Sequence, residues 1–494
     1  MVDKKSIMRK IFLCTFTVFI CTIYFGNLKA QTFDRPNIIL VIADDVSWDD
    51  IGAYGDRSIH TPNIDRLAKD GRRFDNVFLT TSSCSPSRIS ILTGRYPHNT
   101  GAAELHTEVG AEQPLFPLFL KKAGYYTALA GKWHEGPHSA LAYDTLLVDK
   151  AANGEGGERQ WVSLLNSTPK EKPFFLWLAS YDAHREWSAD STFRYSYKPN
   201  EVKVPKTLVD DSITRRDLAS YYNEITRLDD YIGDLLRHLE ESSRLDNTII
   251  IFMADNGRPF PGSKTRLTDR GIKTPFIVHW PRGIKLHKPV TALISSIDLS
   301  ATILDLAHIP VPDAIQGKSF STLLKDDATD RFREYIFSEH NWHDYEAYER
   351  AVRTTEYLYI VNERPQFNND GPIDANQSPS AHSLKARLLT GGLSKLQQEP
   401  YINPRPREEF YDLKRDPEQV QNKIDDPLYR NKLAHFRKVL KKWQNDTGDT
   451  LPAVLTNDWY DRGDGQPLRD KGKRGEMPGR TTDARTTKNK GSFQ

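Results

Sequence analysis

The stretch Asn37-Ile38-Ile39-Leu40-Val41-Ile42-Ala43 is a continuous apolar run, and it ends abruptly in Asp44-Asp45. An apolar run of this length without alternation predicts a strand that is buried on both faces, as in parallel sheets. Two further runs, 174–179 and 248–254, have the same design, and polar residues follow each of them. Three such strands predict an open α/β sheet with its functional site along the carboxyl ends of the strands.

The polar residues after the first and third runs have the chemistry of metal ligands. They are Asp44 and Asp45 after the first run, and Asp255 and Asn256 after the third. A single Asp-Asp pair is more often a helix cap or a solvated turn. Two such groups, each directly after an apolar strand, favour a site for one divalent cation, because Ca²⁺ and Mg²⁺ both prefer oxygen ligands. We expect Ca²⁺ rather than Mg²⁺.

The first thirty residues have the pattern of a signal peptide. Four basic residues lie among the first ten, an apolar stretch covers 11–25, and the small residue Ala30 stands at the expected cleavage point. The apolar stretch is short for a membrane span, although an uncleaved anchor is the alternative. The sequence therefore predicts an exported protein, in the periplasm or outside the cell, with no stable membrane insertion after cleavage.

Charge argues against a nucleic-acid partner. Removing residues 1–30 takes away five Lys or Arg residues and one Asp, which moves the formal net charge from +2 to −2. A nearly neutral chain lacks the concentrated basic face that binding to phosphate backbones requires. At 494 residues, the chain has room for two or three domains.

Composition divides the remaining chain. The apolar stripe through 218–239 recurs at steps of three and four, which predicts a helix packed on the core. A Pro-, Gly- and Asp-rich stretch near 310–330 indicates a boundary. We therefore predict an N-terminal domain over 31–325, a C-terminal subdomain over 326–457 with short strands and a final helix, and a loop-like or disordered tail over 458–494.

Cys84 is the most informative single residue. The other two cysteines, Cys14 and Cys21, lie in the predicted signal peptide, so an internal disulfide is excluded after cleavage. A small buried hydrophobic residue is the ordinary interpretation of a lone cysteine. The surrounding run favours another one, because it reads Cys84-Ser85-Pro86-Ser87-Arg88 and is followed by Ile91-Leu92-Thr93-Gly94-Arg95.

This run resembles the signature of the type I sulfatases, in which the cysteine is oxidised to a formylglycine aldehyde whose hydrate is the nucleophile. Segment 130–134, Ala-Gly-Lys-Trp-His, resembles the second signature of that family. The similarity extends over about 36–445. Three pieces are similar to the sulfamidase branch, which also contains bacterial polysaccharide sulfatases: 83–88 with His106 downstream, 255–261, and 340–343.

The resemblance implies a fold and a set of site residues. The fold is an α/β sandwich like that of alkaline phosphatase, with a large mixed, mostly parallel sheet between helices, plus a smaller C-terminal domain with a short antiparallel sheet and a helix. The implied catalytic residues are Cys84, Arg88, Lys132, His134, His184 and Lys264, and the implied metal ligands are Asp44, Asp45, Cys84, Asp255 and Asn256. Near Lys264 the chain departs from the family, because Arg270 and Lys273 stand where Gly and Arg are usual.

The resemblance also implies partners. One is a formylglycine-generating or radical-type sulfatase-maturating enzyme that recognises Pro86 and Arg88, and another is a sulfated polysaccharide or oligosaccharide. Algal polysaccharides such as ulvan and heparan-type glycosaminoglycans both remain open, as do N- or O-sulfate and endo or exo attack. The candidate substrate-binding residues on loops are His98, His106, Arg185, Trp187, His343 and Arg353.

Two alternative functions remain at this point. A phosphomonoester or phosphonate hydrolase of the same superfold would share the sheet edge, but such enzymes bind transition metals through more His and Asp ligands. A non-catalytic sugar-binding protein on a degenerate sulfatase scaffold would have lost catalytic residues, and all the expected ones are present. Comparing the turnover of an aryl sulfate with that of an aryl phosphate separates the first alternative from a sulfatase.

Overall fold

The three apolar runs are neighbouring parallel strands in the middle of a seven-stranded sheet. The structure is a computed structural model that describes residues 35–189, 193–325, 331–369 and 371–492. The predicted signal peptide, residues 1–30, lies outside the described residues. None of the helices in these described ranges combines the length and the apolar character needed to cross a membrane.

The strands and helices of the described residues are as follows. The strands are β1 Asn37–Ala43, β2 Arg72–Phe74, β3 Val77–Phe78, β4 Tyr126–Gly131, β5 Thr145–Leu147, β6 Phe174–Ala179, β7 Thr248–Ala254, β8 Phe276–His279, β9 Ile294–Ser295, β10 Ile336–His343, β11 Tyr345–Arg353, β12 Tyr357–Asn362 and β13 Glu408–Asp412. The helices are α1 Pro62–Asp70, α2 Cys84–Thr93, α3 Phe116–Lys122, α4 Lys150–Asn153, α5 Trp161–Ser167, α6 Ser212–Glu241, α7 Asp269–Ile272, α8 Asp298–Leu306, α9 Thr322–Lys325, α10 Ile373–Asn376, α11 Pro379–Thr390, α12 Lys395–Gln398, α13 Arg430–Thr447 and α14 Thr482–Thr486.

The large sheet has the strand order β2-β8-β7-β1-β6-β4-β5. Strand β1 is parallel to β6 on one side and to β7 on the other, with Ala43 opposite Ala254. Strands β8 and β2 run antiparallel to their neighbours. The sheet is therefore mixed and mostly parallel, as the resemblance implied. Because Ala43 and Ala254 are aligned, the polar residues that follow β1 and β7 emerge side by side.

Both faces of this sheet are covered by helices. Alternate side chains of β1 enter different cores, with Ile38 on one face and Ile39 on the other. The first core includes residues of α2, α3 and α8, and the second includes residues of α1, α5 and α6. The apolar stripe of the predicted helix over 218–239 lies inside α6 and is buried, so its packing role is confirmed. Burial on two faces is why β1 has no polar residue between Ile38 and Ala43.

A four-stranded antiparallel sheet of order β10-β11-β12-β13 follows the large one, and α13 packs on it through Trp443 and Phe436. This sheet agrees with the short antiparallel sheet that the resemblance implied, but the charged sequence of β11 did not predict a strand. Its sequence has buried charges where apolar residues are expected. Glu349 pairs with Arg405 at 2.6 Å, and Arg350 pairs with Asp449 at 2.6 Å. Only the fold brings these partners together.

Segment 458–494 was predicted to be loop-like or disordered. Its described part contains one short helix, α14, and is held to the rest of the chain by hydrogen bonds. Arg474 donates to Glu104 at 2.9 Å, and Trp459 lies 4.5 Å from Trp342, edge to face. Trp342 belongs to the same buried cluster as Cys84. The C-terminal segment therefore packs against the buried cluster that contains Cys84.

Candidate active site

Cys84 is the first residue of a helix that is buried along its whole length. Residues four apart lie on one face of a helix, so Cys84 and Arg88 point in the same direction, which gives a structural reason for their spacing. The amino end of α2 also carries free N–H groups and the positive end of the helix dipole, a favourable place for an anion. The helix ends at Gly94, which has a φ of 64° and where a Cβ would lie 2.1 Å from Ser300 Oγ.

Carboxylates from β1 and β7 surround the sulfur of Cys84. Its Sγ lies 3.9 Å from Asp44 Oδ1 and 3.8 Å from Asp45 Oδ1. The backbone N–H of Asp45 donates to Asp255 Oδ1 at 3.1 Å, which locks the two strand ends together. Ligand atoms of Asp44, Cys84 and Asp255 all lie within 4.8 Å of one another. The four predicted oxygen ligands and Cys84 therefore form one cluster.

Asn256 provides a test of whether this cluster fits a metal ion. Its amide nitrogen donates to Asp45 and, at 3.0 Å, to the carbonyl of Gly257. Its Oδ1 is buried and has no hydrogen-bond partner among the described residues. A buried oxygen without a partner is costly, so it calls for a ligand. Together with three buried carboxylates, this oxygen makes a donor set of the kind that holds a hard divalent cation.

Three cations face the same cluster. Arg88 Nε donates to Asp255 Oδ2 at 2.8 Å, Lys264 Nζ donates to Asp45 Oδ2 at 2.7 Å, and Lys132 Nζ donates to Asp44. The two terminal nitrogens of Arg88 are buried without a hydrogen-bond partner among the described residues. Three cations balance three carboxylates, so a divalent ion in the cluster would make the site positive. Such a site attracts an anion such as sulfate.

Burial and neighbouring charges set the protonation of these groups. Burial is the largest single influence and opposes a charge on Lys264, but Asp45 and the other acidic groups around it together outweigh burial, so the pKa of Lys264 lies well above its ordinary value. Burial also raises the pKa of the Cys84 thiol. A thiol with a raised pKa stays protonated and is a poor nucleophile. The unmodified cysteine is therefore badly suited to attack, whereas the surrounding ammonium groups remain charged.

Three histidines lie around the cations. His134 Nε2 is hydrogen-bonded to His106 Nδ1 at 2.8 Å, and burial, helped by Lys132, lowers the pKa of His134 well below its usual value. A neutral imidazole of this kind can accept a proton. His184 Nε2 lies 3.9 Å from Asp45 Oδ2. Lys132 and His134 come directly after β4, which ends at Gly131.

Of the candidate substrate-binding residues, only Arg185 and Trp187 line the cavity beside His184. A cavity of about 450 Å³ opens beside Asp44, Lys132 and His184, and Arg185 and Trp187 line it. The guanidinium of Arg185 donates two hydrogen bonds, of 2.7 and 2.8 Å, to the carboxylate of Asp217. Its guanidinium is therefore fixed in the cavity wall.

The other candidates have protein partners. His343 is buried and its Nδ1 is hydrogen-bonded to Ser83 Oγ at 2.7 Å, next to Cys84. His98 is fully buried, with both ring nitrogens engaged by Glu339 and Thr447 at 3.0 Å. Arg353 pairs with Asp269 and stacks 3.8 Å from the ring of Phe78. His98 and Arg353 do not line the cavity beside His184.

Sequence reasoning missed one charged residue at this site. Asp374 Oδ2 lies 3.8 Å from His184 Nε2 and 3.9 Å from Lys264 Nζ. It belongs to the short helix α10, and no apolar strand precedes it. The rule that revealed Asp44 and Asp255, polar residues directly after a buried strand, therefore could not find it.

Comparisons with known proteins agree with this geometry. A family model described as Sulfatase matches residues 36–309, and one described as N-sulphoglucosamine sulphohydrolase, C-terminal, matches residues 263–369. Human N-sulphoglucosamine sulphohydrolase is 32% identical over 469 residues, which covers 84% of this chain and 91% of that protein. An ulvan-active sulfatase of Formosa agariphila is 28% identical over 482 residues, which covers 88% of this chain and 79% of that protein.

Solved structures give the same fold. A structure in complex with its substrate D-glucosamine-2-N,6-O-disulfate matches with a TM-score of 0.64 at 22% identity, covering 83% of this chain and 98% of that chain. The matched family region contains α2 and the carboxyl ends of β1, β4, β6 and β7, where the cysteine, the carboxylates and the cations meet. With more than half of the residues matched by the family and the site at the place where the matched strands end, the chain belongs to the sulfatase family.

Proposed function

We propose that this sulfatase is exported and removes sulfate from a sulfated polysaccharide or its oligosaccharides, with formylglycine at Cys84 as the nucleophile and Ca²⁺ as the divalent cation. The observation that carries the proposal is the position of Cys84. Its Sγ lies within 4 Å of two carboxylates, at the amino end of a buried helix. The same helix carries Arg88, whose terminal guanidinium nitrogens are not hydrogen-bonded to any described residue. Relatives named for ulvan and for N-sulphoglucosamine support a saccharide substrate.

The proposed ligands of the cation are Asp44, Asp45, Asp255, Asn256 and the modified side chain of Cys84. When bound, the cation supplies positive charge that polarises the sulfate oxygens and the nucleophile. Arg88, Lys132 and Lys264 bind the sulfate oxygens and stabilise the charge that they carry in the transition state. The burial of these cations excludes water from the reacting group, which strengthens every charge interaction there.

Proton transfers complete the proposed reaction. One hydroxyl of the formylglycine hydrate gives its proton to Asp255 and attacks sulfur, and the bond from sulfur to the sugar oxygen or nitrogen breaks. His184, with Lys264, donates the proton that the leaving atom needs. His134 then takes the proton of the second hydroxyl, the aldehyde re-forms, and sulfate departs. Burial and Lys132 lower the pKa of His134, so its imidazole is in the neutral form that this last step requires.

A substrate screen tests the proposal directly. We expect the protein, produced with a sulfatase-maturating enzyme and Ca²⁺, to release inorganic sulfate from either heparan-type or ulvan oligosaccharides, measured by ion chromatography. An aryl phosphate is the matched control, and it should be turned over far more slowly than the corresponding aryl sulfate. Release of phosphate without release of sulfate would contradict the proposal and favour the phosphohydrolase alternative.

The size of the cavity predicts a preference for short substrates. A cavity of about 450 Å³ has room for only a few sugar units, and polar contacts that such a substrate buries would discriminate strongly. Sulfate release from trimmed oligosaccharides should therefore be faster than release from intact polymer, compared at equal concentrations of sulfate groups. Equal rates on both would favour an open, endo-acting cleft instead.

A further inference from the structure

Asp374 has a carboxylate oxygen that its own loop does not satisfy. Oδ1 accepts a hydrogen bond from the N–H of Ala375 at 2.8 Å. Oδ2 is buried, and no described residue donates a hydrogen bond to it. This oxygen lies between the His184 imidazole and the Lys264 ammonium, 3.8 Å from His184 Nε2 and 3.9 Å from Lys264 Nζ. It is therefore close to both side chains without being hydrogen-bonded to either.

Asp374 carries a negative charge in this position. Burial is the largest single influence and would raise its pKa, but its neighbours together outweigh burial, so the pKa of Asp374 is lowered. These neighbours are first Lys264 and His184, and then the N–H of Ala375 and Arg185. The side chain is 22% exposed, but its Oδ2 is enclosed, and an enclosed oxygen without a hydrogen bond is expensive to keep. Its neighbours are two residues with proposed catalytic roles, so its cost is explained if it serves them.

The position of Asp374 is built into the C-terminal subdomain. The N–H of Ile373 donates to Asp344 Oδ2 at 3.0 Å, and the carbonyl of Asp344 accepts from the N–H of Trp459 at 2.9 Å. Gly371, with a φ of 78°, brings this loop close to Lys264, whose carbonyl would lie 3.9 Å from an added Cβ. Backbone contacts on both sides therefore fix where the carboxylate points.

Asp45 contacts the same two groups from another direction. Lys264 Nζ lies 2.7 Å from Asp45 Oδ2, and His184 Nε2 lies 3.9 Å from that atom. Asp45 is also a proposed metal ligand, so its charge is shared with the cation. Asp374 lies outside the clusters of possible metal ligands in the described residues. Its charge is therefore not shared with the cation, and Lys264 and His184 are the side chains that influence it most.

We propose that Asp374 is a positioning residue, which holds His184 and Lys264 where they meet the leaving atom of the substrate. This inference rests on the proposed function, because those two residues act there as donors to the leaving group. The inference also gives the C-terminal subdomain a part in catalysis, because that subdomain supplies the carboxylate. Asp374 does not follow a buried strand, unlike Asp44 and Asp255.

The test is the variant Asp374→Asn, which keeps the shape of the side chain and its bond from Ala375. On the best oligosaccharide from the screen, we expect kcat to fall on the order of 10- to 100-fold with KM nearly unchanged, the size of loss usual for residues that orient a catalytic group. An aryl sulfate, whose leaving group needs no proton, should lose much less. Asp470→Asn is the matched control: its carboxylate is exposed and pairs with Lys473 at 2.6 Å, and its kcat should stay near that of the wild type.

Two outcomes would overturn the inference. One is a kcat of Asp374→Asn close to that of the wild type. The other is an equal loss on sugar and aryl substrates together with a lower melting temperature, which means a purely structural role. Crystal structures of both proteins with Ca²⁺ give a readout that does not need turnover, since Lys264 Nζ or His184 should move in the variant, and unmoved side chains would count against positioning. A wild-type protein that releases sulfate from no saccharide would instead refute the proposed function.

Discussion

Replacing Cys84 by Ala is expected to abolish sulfate release, with a loss of at least about a thousandfold in kcat, because no other side chain in the site can become the nucleophile. The fold should survive. Cys84 is 2% exposed, and removing one sulfur atom from a packed site costs at most about 1.5 kcal/mol of the free energy of unfolding. Sulfate release and thermal unfolding, measured on the same preparations, check both expectations.

Ser87, three residues after Cys84, offers a matched control. Ser87 lies on the same helix, and its buried hydroxyl has no hydrogen-bond partner among the described residues. Ser87→Ala should therefore keep both activity and stability. Intact mass adds a chemical readout, because conversion of Cys84 to formylglycine removes about 18 Da and Cys84→Ala cannot undergo it. An active Cys84→Ala protein would refute the nucleophile assignment.

Asp45→Ala is expected to lower both activity and stability by large amounts. The change removes a proposed metal ligand and leaves Lys264, which is 1% exposed and bonded to Asp45 at 2.7 Å, without its closest partner. Removing one member of a buried ion pair usually costs about 3–5 kcal/mol. Chelation of the wild-type protein should likewise lower the rate and the melting temperature, and Ca²⁺ should restore both.

An exposed ion pair provides the control for this experiment. Asp246 pairs with Arg282 at 2.9 Å on the surface, where its side chain is 63% exposed. Asp246→Ala should change the free energy of unfolding by less than about 1 kcal/mol and leave the rate unchanged. If chelation altered neither the rate nor the melting temperature of the wild-type protein, the carboxylate cluster would not be a metal site.

Much of the large sheet was predictable from local sequence. The apolar runs that became β1, β6 and β7 have no polar residues inside them, because a central parallel strand is buried on both faces. The polar residues after them had to meet at one edge, because parallel strands end on the same side. Asp44, Asp45, Asp255 and Asn256 were therefore predictable as a group.

Other features depend on partners that are distant in the chain. Strand β11 was missed because its charges are buried only in pairs, Glu349 with Arg405 and Arg350 with Asp449. Substrate contacts were also beyond local sequence, since His98 looks like an exposed loop histidine and is in fact enclosed by Glu339 and Thr447.

The sequence by itself determined which apolar runs form the buried strands and at which edge of the sheet the polar residues gather. These features follow from periodicity and chain direction, which are local properties. Only the tertiary structure decided that Asp374 stands against His184 and Lys264, and that the C-terminal segment packs behind Cys84 through Trp459 and Trp342. The physical reason is that these contacts join segments far apart in the chain, and their energy arises only when burial removes both partners from water.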